Sequence, residues 1–168
     1  MPNLQFRHAT SSEIALIMDL ASKALPSEFS GVLTTDEIDM TLERMYSQEV
    51  LQNSVESGRH FIIASLDEKD VGFGSYIKEG PELYFMSKLY VLPEYRERGI
   101  GSALFSAICN EIKVHQGNTE CTVELMANHS SSAVSFYKKK GMQFSRDMIF
   151  DLENFELAEQ IYVLELKP

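Results

Sequence analysis

A short charged turn containing two glycines is the part of the sequence best suited to bind an anion. In the stretch LYVLPEYRERGIGSALFSAI, residues 89–108, Gly99 and Gly101 separate an apolar strand-like run from a helix-like run. A helix that begins directly after such a turn presents unpaired backbone N–H groups and the positive end of its dipole. The spacing therefore predicts a phosphate-binding turn. Arg96 and Arg98 stand beside it, and each is as compatible with a solvated turn position as with a direct phosphate contact.

Two common phosphate-binding motifs do not fit this turn. A P-loop needs GxxxxGK followed by Ser or Thr, and no lysine follows Gly101 at that place. A dinucleotide-binding fingerprint needs a third glycine or an alanine where this chain has Leu104. The pattern that does fit is RxxGxG, formed by Arg96, Gly99 and Gly101 after the run LYVLPEY.

The elements before the turn are predicted from hydrophobic spacing and capping motifs. Alternation in NLQFRHA predicts a first strand, and Thr10 with Glu13 forms a capping box ahead of a first helix. Thr34 and Glu37 repeat the box for a second helix, and a further short helix is expected through SQEVLQNSVES. The runs RHFIIASL, VGFGSYIK and LYFMSKLYVL then predict a three-strand meander.

The elements after the turn complete an α/β pattern. The next helix carries apolar residues in steps of four, which predicts a stripe packed on a sheet: Ile100, Leu104, Ile108 and Ile112. A strand in TECTVELM, a helix in SSAVSFYKKK and strands in MQFSRDMIFDL and IYVLEL follow. The order β-α-α-β-β-β-α-β-α-β-β predicts a mixed sheet flanked by helices, within a single domain of residues 1–168.

Charge and cysteine content limit the partners and the compartment. The chain has 15 basic and 25 acidic residues, a formal net charge of −10. Such a field repels nucleic acid and anionic membranes, so neither is expected as a partner. The N-terminus lacks an apolar signal segment, and no apolar run approaches a membrane span. Cys109 and Cys121 lack CxxC spacing and are expected to be buried thiols in a reducing cytoplasm.

With these motifs the chain resembles the GCN5-related N-acetyltransferase (GNAT) family, whose acetyl-CoA motif reads Q/R-x-x-G-x-G/A after just such a strand. The following helix and the downstream run AVSFYKKKGMQF also match, so the resemblance is strong over residues 59–144 and extends elsewhere through the element order. It implies an α/β fold in which about four helices flank a mostly antiparallel sheet of about seven strands. It also implies acetyl-CoA as co-substrate.

The resemblance further implies which residues bind acetyl-CoA. The amides of residues 97–102 wrap the pyrophosphate, and the backbone of the preceding strand pairs with pantetheine as if it were an added strand. The residues so implied are Leu89, Tyr90, Val91, Arg96, Glu97, Arg98, Gly99, Ile100, Gly101, Ser102 and Phe136. The family often has an asparagine three residues before the position of Ala133, where this chain has Ser130. Either Ser130 or the nearby Asn128 is then expected to contact the pantetheine arm.

Acetyl transfer to an amine needs a neutral nucleophile and a proton for the departing thiolate. Tyr137 matches the family tyrosine that stands near the CoA sulfur, although a packing role on an amphipathic helix is the alternative. Glu82 and Glu124 are candidates for the base because of their strand locations, and His60 is a further candidate for proton relay. None of the four histidines has metal-site spacing, so no metal is expected.

The expected function is therefore acetyl-CoA-dependent N-acetylation of a small amine. A non-catalytic acyl-CoA-binding regulator and a peptide or protein N-acetyltransferase are the alternatives. The layout of residues 42–77 is similar to the bacterial polyamine acetyltransferase branch of the PaiA type. If the runs RER and KKK serve the cofactor, the acidic excess is left to attract a cationic, polyamine-like acceptor. A homodimer is compatible with the sequence.

Overall fold

The structure, a computed structural model, describes residues 2–87, 89–128 and 133–168. Within these ranges the chain forms eight strands and five α-helices. The strands are β1 (Leu4–His8), β2 (His60–Leu66), β3 (Lys69–Gly80), β4 (Leu83–Met86), β5 (Tyr90–Val91), β6 (Cys121–Ala127), β7 (Gln143–Asp151) and β8 (Glu156–Leu166). The helices are α1 (Ile14–Glu28), α2 (Thr35–Tyr46), α3 (Gln48–Glu56), α4 (Ile100–Gln116) and α5 (Ala133–Lys139).

All the strands belong to one mixed, mostly antiparallel sheet. Its order is β1-β2-β3-β4-β6-β8-β7, and β5 pairs with β3 beside this path. β4 and β6 run parallel, and α4 provides the crossover between them. The other pairings are antiparallel within the described ranges. The α/β fold predicted from the sequence is confirmed.

The strand count differs from the expected one because the run LYFMSKLYVL divides into β4 and β5. Met86 pairs with Tyr76 of β3, whereas Tyr90 pairs with Phe73, one residue out of continued register. A shift of this kind is typical of a β-bulge, which bends a strand and disrupts its ladder. β4 pairs with β6 as far as Leu125, but β5 pairs only with β3 among the described strands. The sheet therefore opens between β5 and β6.

The helices begin where the capping motifs predict. The Thr34 hydroxyl accepts the Glu37 N–H at 3.1 Å, and the Glu37 carboxylate accepts the Thr34 N–H at 2.9 Å, ahead of α2. The Thr10 N–H donates to the Glu13 carboxylate at 3.1 Å, and a 3₁₀ turn then leads into α1. No helix in the described ranges is long and apolar enough to span a membrane.

Strand alternation divides the core between the two faces of the sheet. One face packs against α4 and α5, and the apolar stripe predicted on α4 is confirmed, since each of its four residues is at most 2% exposed. The other face packs against α1, α2 and α3. β2 shows the division, because Ile62 belongs to the α4 core and Ile63 to the α1 core.

The close approach of β3 to β5 gives a stability prediction. A methyl group added at Gly72 would lie 2.5 Å from the backbone oxygen of Tyr90, so Gly72→Ala must displace β5. We expect the variant to lose about 1–3 kcal/mol of unfolding free energy, measured by urea denaturation. Gly80→Ala on the same strand is the control, because its methyl would meet only the Leu83 side chain at 3.5 Å. Equal stability of the two variants would contradict the tight β3–β5 packing.

Candidate active site

The glycine turn leaves the start of α4 open. Gly99 precedes the helix with a left-handed φ of +79°, and no heavy atom lies within 4 Å of the place that a Cβ atom would occupy. The first intrahelical bond runs from Ala103 N–H to Gly99 C=O at 3.1 Å. The N–H groups of residues 100–102 therefore have no partner within the helix, and no Gly99 side chain exists to cap them. This helix start suits a phosphate group.

The basic residues of the turn differ in what they contact. Arg96 donates from Nε to the Val91 carbonyl at 3.1 Å, and the Arg98 guanidinium lies 5.2 Å from the Tyr95 ring centre. Lys140, the last residue of the run KKK and the first after α5, contacts the Ser102 hydroxyl in the first turn of α4. Of these three cationic side chains, Lys140 is the one that contacts a residue in the first turn of α4. Glu97, also within the turn, is exposed and has a positive φ of 64°.

The opened edge of β5 turns backbone polar groups towards the gap. The Leu89 N–H donates to the Tyr137 hydroxyl at 3.1 Å, and the Val91 C=O accepts from Arg96, so both groups point away from β3. Tyr90 lies between them and instead belongs to the β3 ladder. Alternate backbone groups on an unpaired edge are what an extended ligand pairs with.

Tyr137 reaches this gap from α5 on the α4 side of the sheet. It is 2% exposed, and burial raises the pKa of its phenol well above the usual value, more than the hydrogen bond from Leu89 lowers it. The phenol oxygen accepts from Leu89, so its own proton remains available for donation. Phe136 packs beside it at a ring distance of 5.2 Å, and a methyl on Gly101 would lie 3.8 Å from Phe136. The tyrosine is thus a protonated, oriented donor at neutral pH.

A cavity of about 260 Å³ lies on the opposite face of the sheet, under α2 and α3. Its apolar wall consists of Phe29, Met45, Val50, Leu51, Phe61, Phe85, Met126, Phe150 and Leu157. Its polar lining consists of Thr41, Arg44, Tyr46, Ser54, Arg59, Ser75, Ser87, Tyr90 and Glu159. Ser87 and Tyr90 flank the β4–β5 break, so the cavity and the Tyr137 hydroxyl meet at the same point of the chain.

Hydrogen bonds order the polar side of the cavity. Arg59 Nη1 donates to the Ser75 hydroxyl at 3.0 Å, and the Ser75 and Ser87 hydroxyls are 2.6 Å apart. Tyr46 and Tyr90 meet edge to face, with ring centres 6.0 Å apart. Burial raises the pKa of Tyr46 to about 12, and it raises the pKa of Tyr90 well above its usual value. Both phenols are therefore neutral in the physiological range.

The carboxylates expected as bases occupy different places. Glu124 lies on the cavity face of β6, two residues before Met126, and pairs with Arg146 at 2.8 Å. Glu82 is exposed in the turn that precedes β4, and its carbonyl accepts the Thr122 N–H. That turn is at the end of β4 away from the break, so the structure does not bring Glu82 together with Tyr137.

The remaining expected residues lie at the edges of the site. His60 stacks on Tyr76 at 4.9 Å, among side chains that pack towards the α4 face, and is not part of the cavity lining. Asn128 is 4% exposed and donates from Nδ2 to the Ala158 carbonyl of β8 at 3.3 Å. Ser130 lies outside the described residues.

Sequence reasoning did not identify the polar residues of the cavity. The sequence pattern places Arg59 only at the start of a strand, although a cation directly before the largely buried run HFIIAS can be carried partly out of water with it. Glu159 was missed because the last strand begins at Glu156, five residues before the run IYVLEL. In this longer strand Leu157, Glu159 and Ile161 alternate on one face, which indicates a carboxylate directed inward.

Comparisons with known proteins agree with this geometry. The family model of the acetyltransferase (GNAT) domain matches residues 57–143, just over half of the chain. Compared with curated proteins, the sequence shows no match. The structure resembles the PaiA N-acetyltransferase of Thermoplasma acidophilum in complex with coenzyme A, with a TM-score of 0.81 and 20% identity over 98% of this chain and 99% of that one.

Two further solved structures share the fold. A GCN5-related N-acetyltransferase from Rhodopseudomonas palustris gives a TM-score of 0.77 at 20% identity, over 96% of this chain and 95% of that one. The ribosomal-protein-S18-alanine N-acetyltransferase of Escherichia coli gives 0.73 at 12% identity, over 99% and 96%. The matched range 57–143 contains the open helix start, the exposed edge of β5 and Tyr137. The chain therefore belongs to the GNAT family of acetyltransferases.

Proposed function

We propose that this protein transfers the acetyl group of acetyl-CoA to the primary amine of a small molecule, with Tyr137 as the general acid. The observation that carries the proposal is the bond between the Tyr137 hydroxyl and the Leu89 N–H at the opening of the sheet. The phosphate-binding helix start lies on one side of this point and the cavity on the other. A donor and an acceptor that occupy the two sides would meet at Tyr137.

The residues present fit acetyl-CoA, which supplies an acetyl group activated as a thioester. The N–H groups of residues 100–102 and the Lys140 ammonium would hold the pyrophosphate. The Val91 C=O is directed away from β3 and keeps a second lone pair beside its bond from Arg96, so it would accept from an amide of the pantetheine arm. Phe136 lies next to both Gly101 and Tyr137, since a methyl group on Gly101 would be 3.8 Å from its ring and its ring centre is 5.2 Å from that of Tyr137.

Tyr137 is the candidate source of the proton that the departing sulfur must gain. The acceptor nitrogen forms a C–N bond with the acetyl carbon while the C–S bond breaks, and the nitrogen loses one proton as the sulfur gains one. Burial raises the pKa of Tyr137, so the phenol is protonated when transfer begins, and its position at the gap lets Oη donate a proton to the departing sulfur. Oη then regains a proton from solvent. Of the expected bases, Glu124 lies on the cavity face and remains our candidate for accepting the amine proton.

The experiment is a CoA-release assay over amino acids, polyamines, aminoglycosides and short peptides. Sustained release with a small amine supports the proposal. Tight acetyl-CoA binding without release over the whole panel would favour the regulatory module, and release with peptides alone would favour a peptide acetyltransferase. The two cysteines are free and buried, which accords with our expectation of a reducing, cytoplasmic setting.

The polyamine expectation leads to a separate prediction. If the negative net charge attracts the acceptor, the kcat/KM for spermidine should fall as salt rises, because exposed attractions are screened beyond about 8 Å at physiological ionic strength. A neutral amine should show no such dependence in the same titration. If spermidine is not acetylated and an uncharged or anionic acceptor is preferred, the expectation of a polyamine acceptor is contradicted. Two arginines in the cavity lining, Arg44 and Arg59, already weigh against it.

A further inference from the structure

We infer that the acceptor is an amine that also carries a carboxylate, as in a hydrophobic α-amino acid, and that Arg59 binds that carboxylate. This inference rests on the proposed function and narrows its acceptor. It follows from the charges that line the cavity and from the side chains that surround them.

Arg59 brings a positive charge to the cavity without an acidic partner. Its guanidinium makes one hydrogen bond to another described side chain, that from Nη1 to Ser75. No carboxylate of residues 2–87, 89–128 or 133–168 lies within ion-pair distance of it, and the residues outside these ranges include no Asp or Glu. A guanidinium has five N–H donors in a fork that matches a carboxylate, so most of its donors remain for a ligand.

The second arginine of the lining does not compete for this role. Arg44 pairs with Glu153 at 3.0 Å and also donates to the Leu152 carbonyl. Its charge is therefore balanced within the protein. Arg59, by contrast, is partly withdrawn from water, and this desolvation lowers its pKa more than the charges of Tyr46 and Glu79 raise it, although arginine stays protonated in proteins. An arriving anion would offset that loss of hydration.

The position of Arg59 matches the point of transfer. Hydrogen bonds connect Arg59 to Ser75 and Ser75 to Ser87, the residue that follows β4. Ser87 is next to the break where the Leu89 N–H contacts the Tyr137 hydroxyl. A carboxylate on Arg59 would thus anchor the acceptor beside the opening. In an α-amino acid the amine is two bonds from the carboxylate carbon, so the same anchor orients the nucleophile.

The rest of the lining indicates what else the acceptor carries. The wall opposite the polar groups is formed by aromatic and aliphatic side chains, which favour an apolar substituent. The carboxylate of Glu159 is 3% exposed and belongs to the same cavity, on β8. A cavity lined by both an arginine and a carboxylate complements a zwitterion better than a polycation.

The test uses matched acceptor pairs that differ only in the carboxylate. Leucine, methionine and phenylalanine are compared with 3-methylbutylamine, 3-(methylthio)propylamine and 2-phenylethylamine in the CoA-release assay. We expect at least one amino acid to exceed its amine about 100-fold in kcat/KM, since an unpaired buried donor set rejects the analogue that lacks its partner. In parallel, the amino acids should raise the melting temperature of the protein without acetyl-CoA, and the amines should not.

Variants of Arg59 connect the preference to this residue. Arg59→Met should remove the difference within each pair and abolish the shift in melting temperature, while Arg59→Lys should retain part of both. Lys23→Met is the matched control, since it removes one positive charge from the exposed face of α1, where Asp19 at 2.9 Å is the one partner of Lys23 in the described part of the chain. If Arg59→Met fails to fold, the wild-type comparison of acceptor pairs still decides.

The outcomes separate this inference from the proposed function. Amines that equal or exceed their amino acids would overturn the inference and leave the transferase standing. Amino acids that raise the melting temperature through Arg59 but are never acetylated would support the ligand class and count against the transferase. Amino acids that are neither bound nor acetylated would overturn the inference.

Discussion

Gly101→Val is expected to weaken acetyl-CoA binding by about 100-fold or more while the protein remains folded, because several charge-assisted bonds to phosphate would be lost. A single added methyl at this position meets only the Phe136 ring at 3.8 Å and Val91 at 3.9 Å, which are ordinary contacts. The two γ-methyl groups of valine would occupy the space in front of the first turn of α4. Calorimetric titration with acetyl-CoA measures the affinity, and a circular-dichroism melt measures the fold.

Ser106→Val is the matched control for that variant. It introduces the same β-branched side chain into α4 at an exposed position one and a half turns further on. Its small helix penalty should appear in the melt without any change in affinity. An unchanged affinity in Gly101→Val would show that the helix start is not where the pyrophosphate binds.

Tyr137→Phe is expected to lower kcat about 100-fold with little change in the KM for acetyl-CoA, the typical cost of losing one positioned acid. The ring would still pack against Phe136 and Phe105. The Leu89 N–H would lose its acceptor, so a decrease of about 1–3 kcal/mol in unfolding free energy should accompany the kinetic loss. Steady-state kinetics and urea denaturation measure the two effects separately.

Tyr84→Phe tests whether loss of a buried hydroxyl is enough to explain the kinetic effect. Tyr84 is also fully buried and its hydroxyl is 2.7 Å from His115 Nδ1, but it lies at the far end of β4 from the break. We expect Tyr84→Phe to alter stability and to leave kcat unchanged. If Tyr137→Phe keeps turnover within about two-fold of wild type, Tyr137 is a packing residue.

Local features of the sequence predicted the helices and strands that carry the glycine turn and Tyr137. The glycine turn, the start of α4 and the helix that carries Tyr137 are contiguous, so their spacing can be read directly along the chain. The capping box of Thr34 and Glu37 is local for the same reason. Each of these predictions depends on backbone geometry within one or two turns.

The features that were not predicted depend on distant partners. The run LYFMSKLYVL is continuous in its apolar character, and its division arises from pairing with β6 on one side and β3 on the other. The cavity draws on residues from helices, from the inner strands and from β8, which are far apart in sequence. Arg59 and Glu159 line the same cavity only after the sheet forms, so their spacing in the sequence does not indicate that they share a site.

The opening of the sheet divides the protein into two parts that can change independently. The side that we propose for the acetyl donor is built from the glycine turn, α4 and α5, while the side that we propose for the acceptor is built from α2, α3 and β8. Among the described residues, Ser87 and Tyr90 flank the break and also line the cavity. Selection, or a protein engineer, can therefore exchange residues under α2 and α3 to accept a new amine without disturbing how the acetyl donor is bound.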